Sequence, residues 1–395
     1  MGLGKTFVGA EKLHQLNETC NLLICQKSKI DDWINHFQTY YPELKIFDCT
    51  KKNFNYNVDV HLFGHDRKPH LLVINYELAF RRKYLLQLKD FTLMLDESSM
   101  IQNETAKRSK FILKLKPKNI ILLSGTPTSG KYENLWSQIQ LLGWNISKDL
   151  YWKQYIDFEW IDEGGFLRRQ VNGYKNVDRL KRKLREHGAV FMKSEEVLDL
   201  PEQIFTNISI ETTKEYRKFL RNRIITVENE ELVGDTVLTK LLYSRMLCGH
   251  YNPNKLEAFV DLVESTNDRL IVFYNFNREL EKLTDLIDRP VSIVNGEIKD
   301  LDNYEEFDNS ITFVQYQAGA HGLNLQKANK VIYFTLPLSS ELFEQSKKRI
   351  HRIGQRNTCW YYYLICRDSV EEDVLETLEM RRDYTDELFR EEYGE

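Results

Sequence analysis

The sequence opens with MGLGKTFVGA (residues 1–10). Gly4, Lys5 and Thr6 supply the second half of the phosphate-gripping pattern Gly-x-x-x-x-Gly-Lys-Ser/Thr, with Gly2 and Leu3 in the same loop. Glycine lets backbone N–H groups turn inward around phosphate oxygens, and lysine adds a point charge at the β- and γ-phosphates. Threonine offers a hydroxyl to Mg2+. A helix is expected from about Phe7 to Gln15, with its positive N-terminal end toward the anion. So short a glycine motif also reads as a flexible chain end, and the rest of the sequence must decide between the two.

The composition sets the bounds. The 395 residues are 42% hydrophobic and 29% charged, ordinary globular material for about two domains. No apolar run approaches the ~20 residues that span a bilayer, and no signal-peptide pattern follows Lys5. Cys20, Cys25, Cys49, Cys248, Cys359 and Cys366 show no C-x-x-C spacing. They read as reduced thiols of a cytoplasmic protein, forming neither a zinc site nor a disulfide frame. The net charge of −4 means that any nucleic-acid surface is local. KRSKFILKLKPK (107–118), RLKRKLR (179–185) and KKRIHR (347–352) are the candidates, though each reads equally as a solvated helix face.

Short apolar runs alternate with amphipathic stretches. NLLICQ (21–26), HLLVINY (70–76), TLMLDE (92–97) and IILLSG (120–125) read as strands, with helical IDDWINHFQTYY (30–41) and AKRSKFILKL (106–115) between them. Continuous apolar strands with helical crossovers imply a parallel sheet covered on both faces. The middle is charged and reads as mostly helical. The last third returns to alternation with RLIVFYNF (269–276), VSIVNG (291–296), ITFVQYQ (311–317), KVIYFT (330–335) and WYYYLIC (360–366), the last a buried strand. The expected fold class is therefore α/β: one parallel-sheet unit at 1–145, a helical connecting segment at 146–252 and a second sheet unit at 253–395. Such sheets bind ligands at the carboxyl ends of their strands.

Chemistry-bearing residues fall at those ends. In LDES (95–98), Asp96 is placed to hold Mg2+ through water and Glu97 to orient and deprotonate an attacking water. In LSGTP (123–127), the small hydroxyl residues Ser124 and Thr126 are placed to relay the state of a γ-phosphate. QAGAHGLNLQKANKVIYF (317–334) is a Gly-rich turn beside a strand. In EQSKKRIHRIGQ (344–355), Arg349 and Arg352 would share one helix face and could serve as fingers for a phosphoryl transition state.

Together these segments resemble the superfamily-two helicase-like ATPases of the Swi/Snf type, a DEAD/DEAH-like group. MGLGKT, LLICQKSKIDDW, INYELA, LDESSMIQN, LSGTPTSGKYENLWS, FMKSEEVLDLP, LIVFYNF, AGAHGLNLQKANKVIYF and QSKKRIHRIGQ occur in that family's order across nearly the whole chain. The resemblance implies two RecA-like lobes, ATP and Mg2+ as cofactors, and ATP hydrolysis that drives translocation along duplex DNA. Lobe one would supply the loop residues 2–6, with Asp96 and Glu97, and Thr6 and Asp96 as Mg2+ ligands. Lobe two would supply Arg349 and Arg352, with Gln345 at the nucleotide. Ser124, Thr126, Gly322 and Asn324 would couple hydrolysis to movement. Gln26, Lys27, Ser28, Lys29, Asn75, Tyr76, Ser129 and Leu323 fall where the family touches the sugar–phosphate backbone, contacts that position a strand without reading sequence.

Such a protein works on nucleic acid without a membrane, with a nuclease or a replication or repair factor as a fitting protein partner. Its compactness resembles phage and mobile-element members. Two other readings stay open: a strand-separating helicase, with a hairpin hidden in HLFGHDRKPH (61–70) or the middle stretch, and a non-catalytic DNA-binding module. The sequence also departs from the family. Ser99 stands where a histidine is usual, FMKSEEV (191–197) keeps only Lys193 of a basic pair, and no chromatin-reader module is evident. The family's strand ahead of the loop has no counterpart before Met1, so the sequence is expected to be N-terminally truncated or to begin at an internal methionine.

Overall fold

In the computed structural model the described residues are 4–52, 54, 69–162, 167–192, 198–319 and 323–389. Gly2, Leu3, Lys193, Gly322 and most of the HLFGHDRKPH stretch lie outside them. The chain divides into two compact units, one within residues 3–193 and the other within 194–383.

The first unit is built on β1 (Cys20–Cys25), β2 (Lys45–Asp48), β3 (His70–Asn75), β4 (Phe91–Asp96) and β5 (Asn119–Leu123). They form one parallel sheet in the order β2-β3-β1-β4-β5. Side chains alternate across a strand, so continuous apolar runs feed two cores at once. Leu22, Ile24, Leu72, Ile74, Leu93 and Leu95 pack on one face. Leu23, Cys25, Leu71, Val73 and Met94 pack on the other with Trp33 and Phe37 of the helix Ile30–Tyr40.

The helix Lys5–Leu16 lies against β4 and β5. It comes so close that a Cβ on Gly9 would stand 2.5 Å from a Leu123 methyl. Its N-terminus is thereby brought to the carboxyl ends of the strands. A third cluster, centred on Tyr132, Tyr151, Tyr155 and Leu180, joins the helices Lys148–Tyr155 and Val177–Glu186.

The second unit carries β8 (Gln203–Ile210), β11 (Leu270–Tyr274), β12 (Val291–Val294), β13 (Ile311–Gln315), β14 (Lys330–Tyr333) and β15 (Cys359–Cys366). All six run parallel in the order β12-β13-β11-β14-β15-β8. The WYYYLIC run is a buried strand, as its unbroken apolar character requires.

The middle stretch departs from the helical expectation. It holds an antiparallel hairpin of β6 (Ile156–Asp162) and β7 (Leu167–Tyr174), a second hairpin of β9 (Ile224–Val227) and β10 (Glu230–Val233), and the edge strand β8. It is divided between the two units rather than standing as a third body. The charged residues of β6 and β7 obscured the strand pattern because much of that hairpin faces solvent and needs no apolar alternation. Among the described residues no helix is long and apolar enough to cross a membrane.

Candidate active site

The helix Lys5–Leu16 follows Gly4, whose φ of 69° is one that a residue without a Cβ adopts freely. Lys5 Nζ lies 3.0 Å from Glu97 Oε1, a contact between residues 92 positions apart. The lysine of the glycine loop and the carboxylate after β4 thus meet at one strand end. Glu97 Oε2 is buried and has no hydrogen-bond partner among the described residues.

Glu97 has φ 53°, in the left-handed region that costs a side-chain-bearing residue about 1–3 kcal/mol. The Tyr76 hydroxyl holds that turn, lying 2.9 Å from the Asp96 carbonyl and 3.2 Å from the Glu97 carbonyl. Asp96 is fixed from another side: Trp33 Nε1–H donates to its Oδ2 at 2.8 Å. Burial raises the Asp96 carboxyl above its ordinary value, and the indole N–H opposes that rise. Asp96 precedes the residue that bears a buried, unpartnered carboxylate oxygen, and Thr6 follows the lysine that reaches that carboxylate; hard oxygen donors of these types suit Mg2+.

The loop after β5 is tied to the same region. Ser124 Oγ accepts from the Thr126 N–H at 3.1 Å. Thr126 is buried, and its hydroxyl has no partner among the described residues. Ser129 has φ 50°, and its Oγ accepts from Gln102 Nε2 at 3.1 Å.

In the second unit the two most family-like segments brace each other. Arg352 Nη1 donates to the Leu323 carbonyl at 3.3 Å, and the Leu325 N–H donates to the Arg349 carbonyl at 3.1 Å. Gln355 Nε2 donates to the Ala328 carbonyl at 2.8 Å. The helix expected under both arginines stops at Lys347, and Arg349 and Arg352 stand in the turns beyond it. The backbone there leaves the helix to pair with the Leu323–Leu325 segment. Arg349 is buried and Arg352 half-buried, its guanidinium pulled below the ordinary value by burial.

Several expected contacts lie elsewhere. Tyr76 is fully buried and underpins Asp96 and Glu97, so its ring has no surface to offer a DNA strand. Asn75 is buried with its amide donating to Glu77 Oε2 at 2.7 Å. The Leu323 side chain is buried in the core, while Asn324 beside it is exposed. Gln345 is buried, its amide donating to Glu341 Oε1 at 3.2 Å. Lys27 and Ser28 are exposed on a turn at the carboxyl end of β1, with Gln26 and Lys29 half-buried beside them.

Sequence reading missed Trp33, although its place on the apolar face with Ile30 and Phe37 leaves a buried indole N–H that needs an acceptor. It also missed the buried or half-buried amides Gln102 and Asn134, which lie inside the LDESSMIQN and LSGTPTSGKYENLWS segments, and Gln138 just past the second.

Comparison with known proteins gives the family. The SNF2-related domain model matches residues 1–252, and the helicase conserved C-terminal domain model matches residues 254–354. The chain is 25% identical over 419 residues to the Mycoplasma genitalium protein named "Uncharacterized ATP-dependent helicase MG018", covering 97% of this chain and 39% of that protein. It is 24% identical to the mouse "SWI/SNF-related matrix-associated actin-dependent regulator of chromatin subfamily A member 1", covering 96% of this chain and 40% of that one. The yeast "ISWI chromatin-remodeling complex ATPase ISW2" is also 24% identical, with 95% and 37% covered. The chain therefore spans about two fifths of the length of these relatives. Among solved structures, the "Sulfolobus solfataricus SWI2/SNF2 ATPase core in complex with dsDNA" matches at 20% identity and a TM-score of 0.42, covering 98% of this chain and 86% of that one.

Proposed function

The chain belongs to the SNF2-related domain family, and from that premise we propose that it is an ATP hydrolase coupling turnover to translocation along duplex DNA. The observation that carries this reading is the Lys5–Glu97 contact at the end of β4. On this reading Lys5 exchanges the carboxylate for β- and γ-phosphate oxygens, which leaves Glu97 to accept the proton of the attacking water. Thr6 and Asp96 would hold Mg2+, which neutralises charge on the phosphoryl oxygens. Trp33 and Tyr76 keep Asp96 and Glu97 in place before any substrate arrives, and such preorganisation is the main source of electrostatic catalysis. Arg349 and Arg352 are proposed to meet the developing charge on the γ-phosphoryl group.

Lys27, Ser28, Ser129 and Asn324 are the proposed backbone contacts to DNA. Asn75, Tyr76 and Leu323 are dropped from that set because their side chains are buried. The reducing compartment in which six free thiols persist fits the cytoplasm. Strand separation stays as a second reading on one observation: the β6–β7 hairpin exposes Trp160.

The test is ATP turnover with duplex DNA, single-stranded DNA and RNA, beside Glu97→Gln. Duplex-stimulated turnover that the variant loses supports the motor reading. Turnover indifferent to nucleic acid refutes translocation. A labelled-strand displacement assay decides between the two readings.

A further inference from the structure

Ser98, the residue after Glu97, leads away from the strand end into a buried chain of hydrogen bonds. Ser98 and Gln138 are 1% and 4% exposed. Ser98 Oγ donates to Gln138 Oε1 at 2.7 Å, and Gln138 Nε2 donates to the Pro127 carbonyl at 2.7 Å. The amide can face only one way, because a carbonyl accepts from the NH2 end alone, so the amide oxygen must face Ser98. Gln102 Nε2 reaches the same Pro127 carbonyl at 3.3 Å and Ser129 Oγ at 3.1 Å. Asn134 Nδ2 donates to Gln102 Oε1 at 3.1 Å and to the Thr128 carbonyl at 3.2 Å.

Three amides therefore grip two successive carbonyls of one loop. The next two residues, Ser129 and Gly130, take φ values of 50° and 72°. Ser129 carries a Cβ, so this backbone persists only because its surroundings hold it.

We propose that Ser98 and Gln138 are positioning residues that join the Glu97 turn to the Pro127–Gly130 loop, so that nucleic acid held at the loop and hydrolysis at Glu97 set one another's rates. The proposal rests on the ATPase reading above. A shift of the loop moves the Pro127 carbonyl, and Gln138 can follow it only by straining its bond to Ser98. A buried amide stripped of one partner is costly, more so where the local dielectric is low. The two ends consequently move together. A second tie runs beside this one: the Gln102 N–H donates to the Ser99 carbonyl at 3.1 Å, and the Gln102 side chain reaches the same loop.

The experiment compares Ser98→Ala, Gln138→Met and the double variant with the wild-type chain. Amide hydrogen exchange is read over residues 126–131, and turnover is read as the ratio with to without saturating duplex DNA. Each single variant should speed exchange and lower the ratio by about tenfold, the effect of one lost buried hydrogen bond. The double variant should do little more, because either change breaks the same link. Variants at both ends keep the test decisive if one fails to fold.

Unchanged exchange, an unchanged ratio in a stimulated enzyme, or effects that multiply in the double variant would overturn the proposal. A wild-type chain with no turnover on any nucleic acid would remove the ATPase reading and the coupling with it. The exchange data would still decide whether Ser98 and Gln138 hold the loop.

Discussion

Two lysine–glutamate pairs, each joining distant parts of the sequence, are built in opposite ways. Lys255 Nζ meets both carboxylate oxygens of Glu371, at 2.5 and 2.8 Å, with the two side chains 0% and 4% exposed. Glu371 Oε2 also accepts from the Cys366 N–H at 3.0 Å, and the ammonium lies 5.3 Å from the centre of the Phe334 ring. Lys5 and Glu97 share one contact at 3.0 Å, are 25% and 19% exposed, and leave Glu97 Oε2 without a partner among the described residues. A buried pair must satisfy itself to be tolerated at all. A pair left half open is arranged to change partners. The same two residue types are therefore closed on each other in one unit and left partly open in the other, where the proposed chemistry would use them. The one cluster of candidate metal donors among the described residues, Cys248, Cys366 and Glu371, is explained by the same contrast, since Lys255 is already its cation.

The sharpest way to break the comparison is at the open pair. Lys5→Ala or Glu97→Gln should lower ATP turnover by ~10³-fold or more, because each removes a group required at the transferring phosphoryl. Stability should move by less than about 1 kcal/mol, as for other partly exposed pairs. Turnover and thermal unfolding measured on the same samples check this. A variant that keeps its turnover, or that unfolds early, would erase the distinction.

The closed pair should behave in reverse. Lys255→Met or Glu371→Gln leaves an uncompensated polar group in the interior and should cost about 3–5 kcal/mol in urea unfolding. Replacing both partners by apolar residues should recover much of that loss. A double variant worse than either single one would mean that the pair is a net source of stability.

What the sequence made legible follows the same line. Apolar runs buried on both faces named themselves, so nine strands across the two sheets were expected where they occur. Lys5, Asp96 and Glu97 could be singled out because phosphate chemistry calls for those types at strand ends, and the meeting of Lys5 with Glu97 supports their proposed role. Lys255 and Glu371 were not, because 116 residues separate them and each alone reads as a surface charge. Trp33 acts through one hydrogen bond and Gln138 through two, which only tertiary packing reveals. Tyr76 was misread because a tyrosine after a strand looks like a surface contact until its hydroxyl is seen under Asp96. The four-residue β2 is too short, and β6 and β7 too polar, for periodicity to mark them.

A third test sharpens the account of the second unit. His250 is fully buried, and neither ring nitrogen has a hydrogen-bond partner among the described residues. Burial pushes it down to about 4, helped by Lys282 and Arg278. A histidine lowered on folding contributes stability above its unfolded value of about 6.5, and that stability is lost as pH falls from there through about 4. The full loss is about 3 kcal/mol. Glu228 and Glu230, held below the ordinary carboxylate range by Lys282 and by Tyr251, act only at lower pH. Within the window between about 4.3 and 6.5, His36 is also lowered by burial and the Asp96 and Glu279 carboxyls are raised by it, so the share of His250 is the difference between the wild-type chain and its variant. Urea midpoints should fall across that window, and His250→Phe, which suits the neighbouring Tyr251 and Phe276 rings, should flatten the fall.

The smallest expected effect tests whether the open site is aimed or merely packed. Trp33→Phe keeps an aromatic ring against Phe37, whose centroid lies 5.8 Å away, and deletes only the donor to Asp96. If the bond aims the carboxylate, turnover should fall about tenfold and half-saturating Mg2+ should rise, with little change in unfolding. The acid limb of turnover should also move to higher pH, because the indole N–H is what restrains the raised Asp96 carboxyl. If Trp33 only fills the core, the Mg2+ requirement and the acid limb should stay in place while the unfolding temperature drops. Asp96 would then be held by the strand end and the Tyr76 hydroxyl, and the open site would owe its geometry to the backbone.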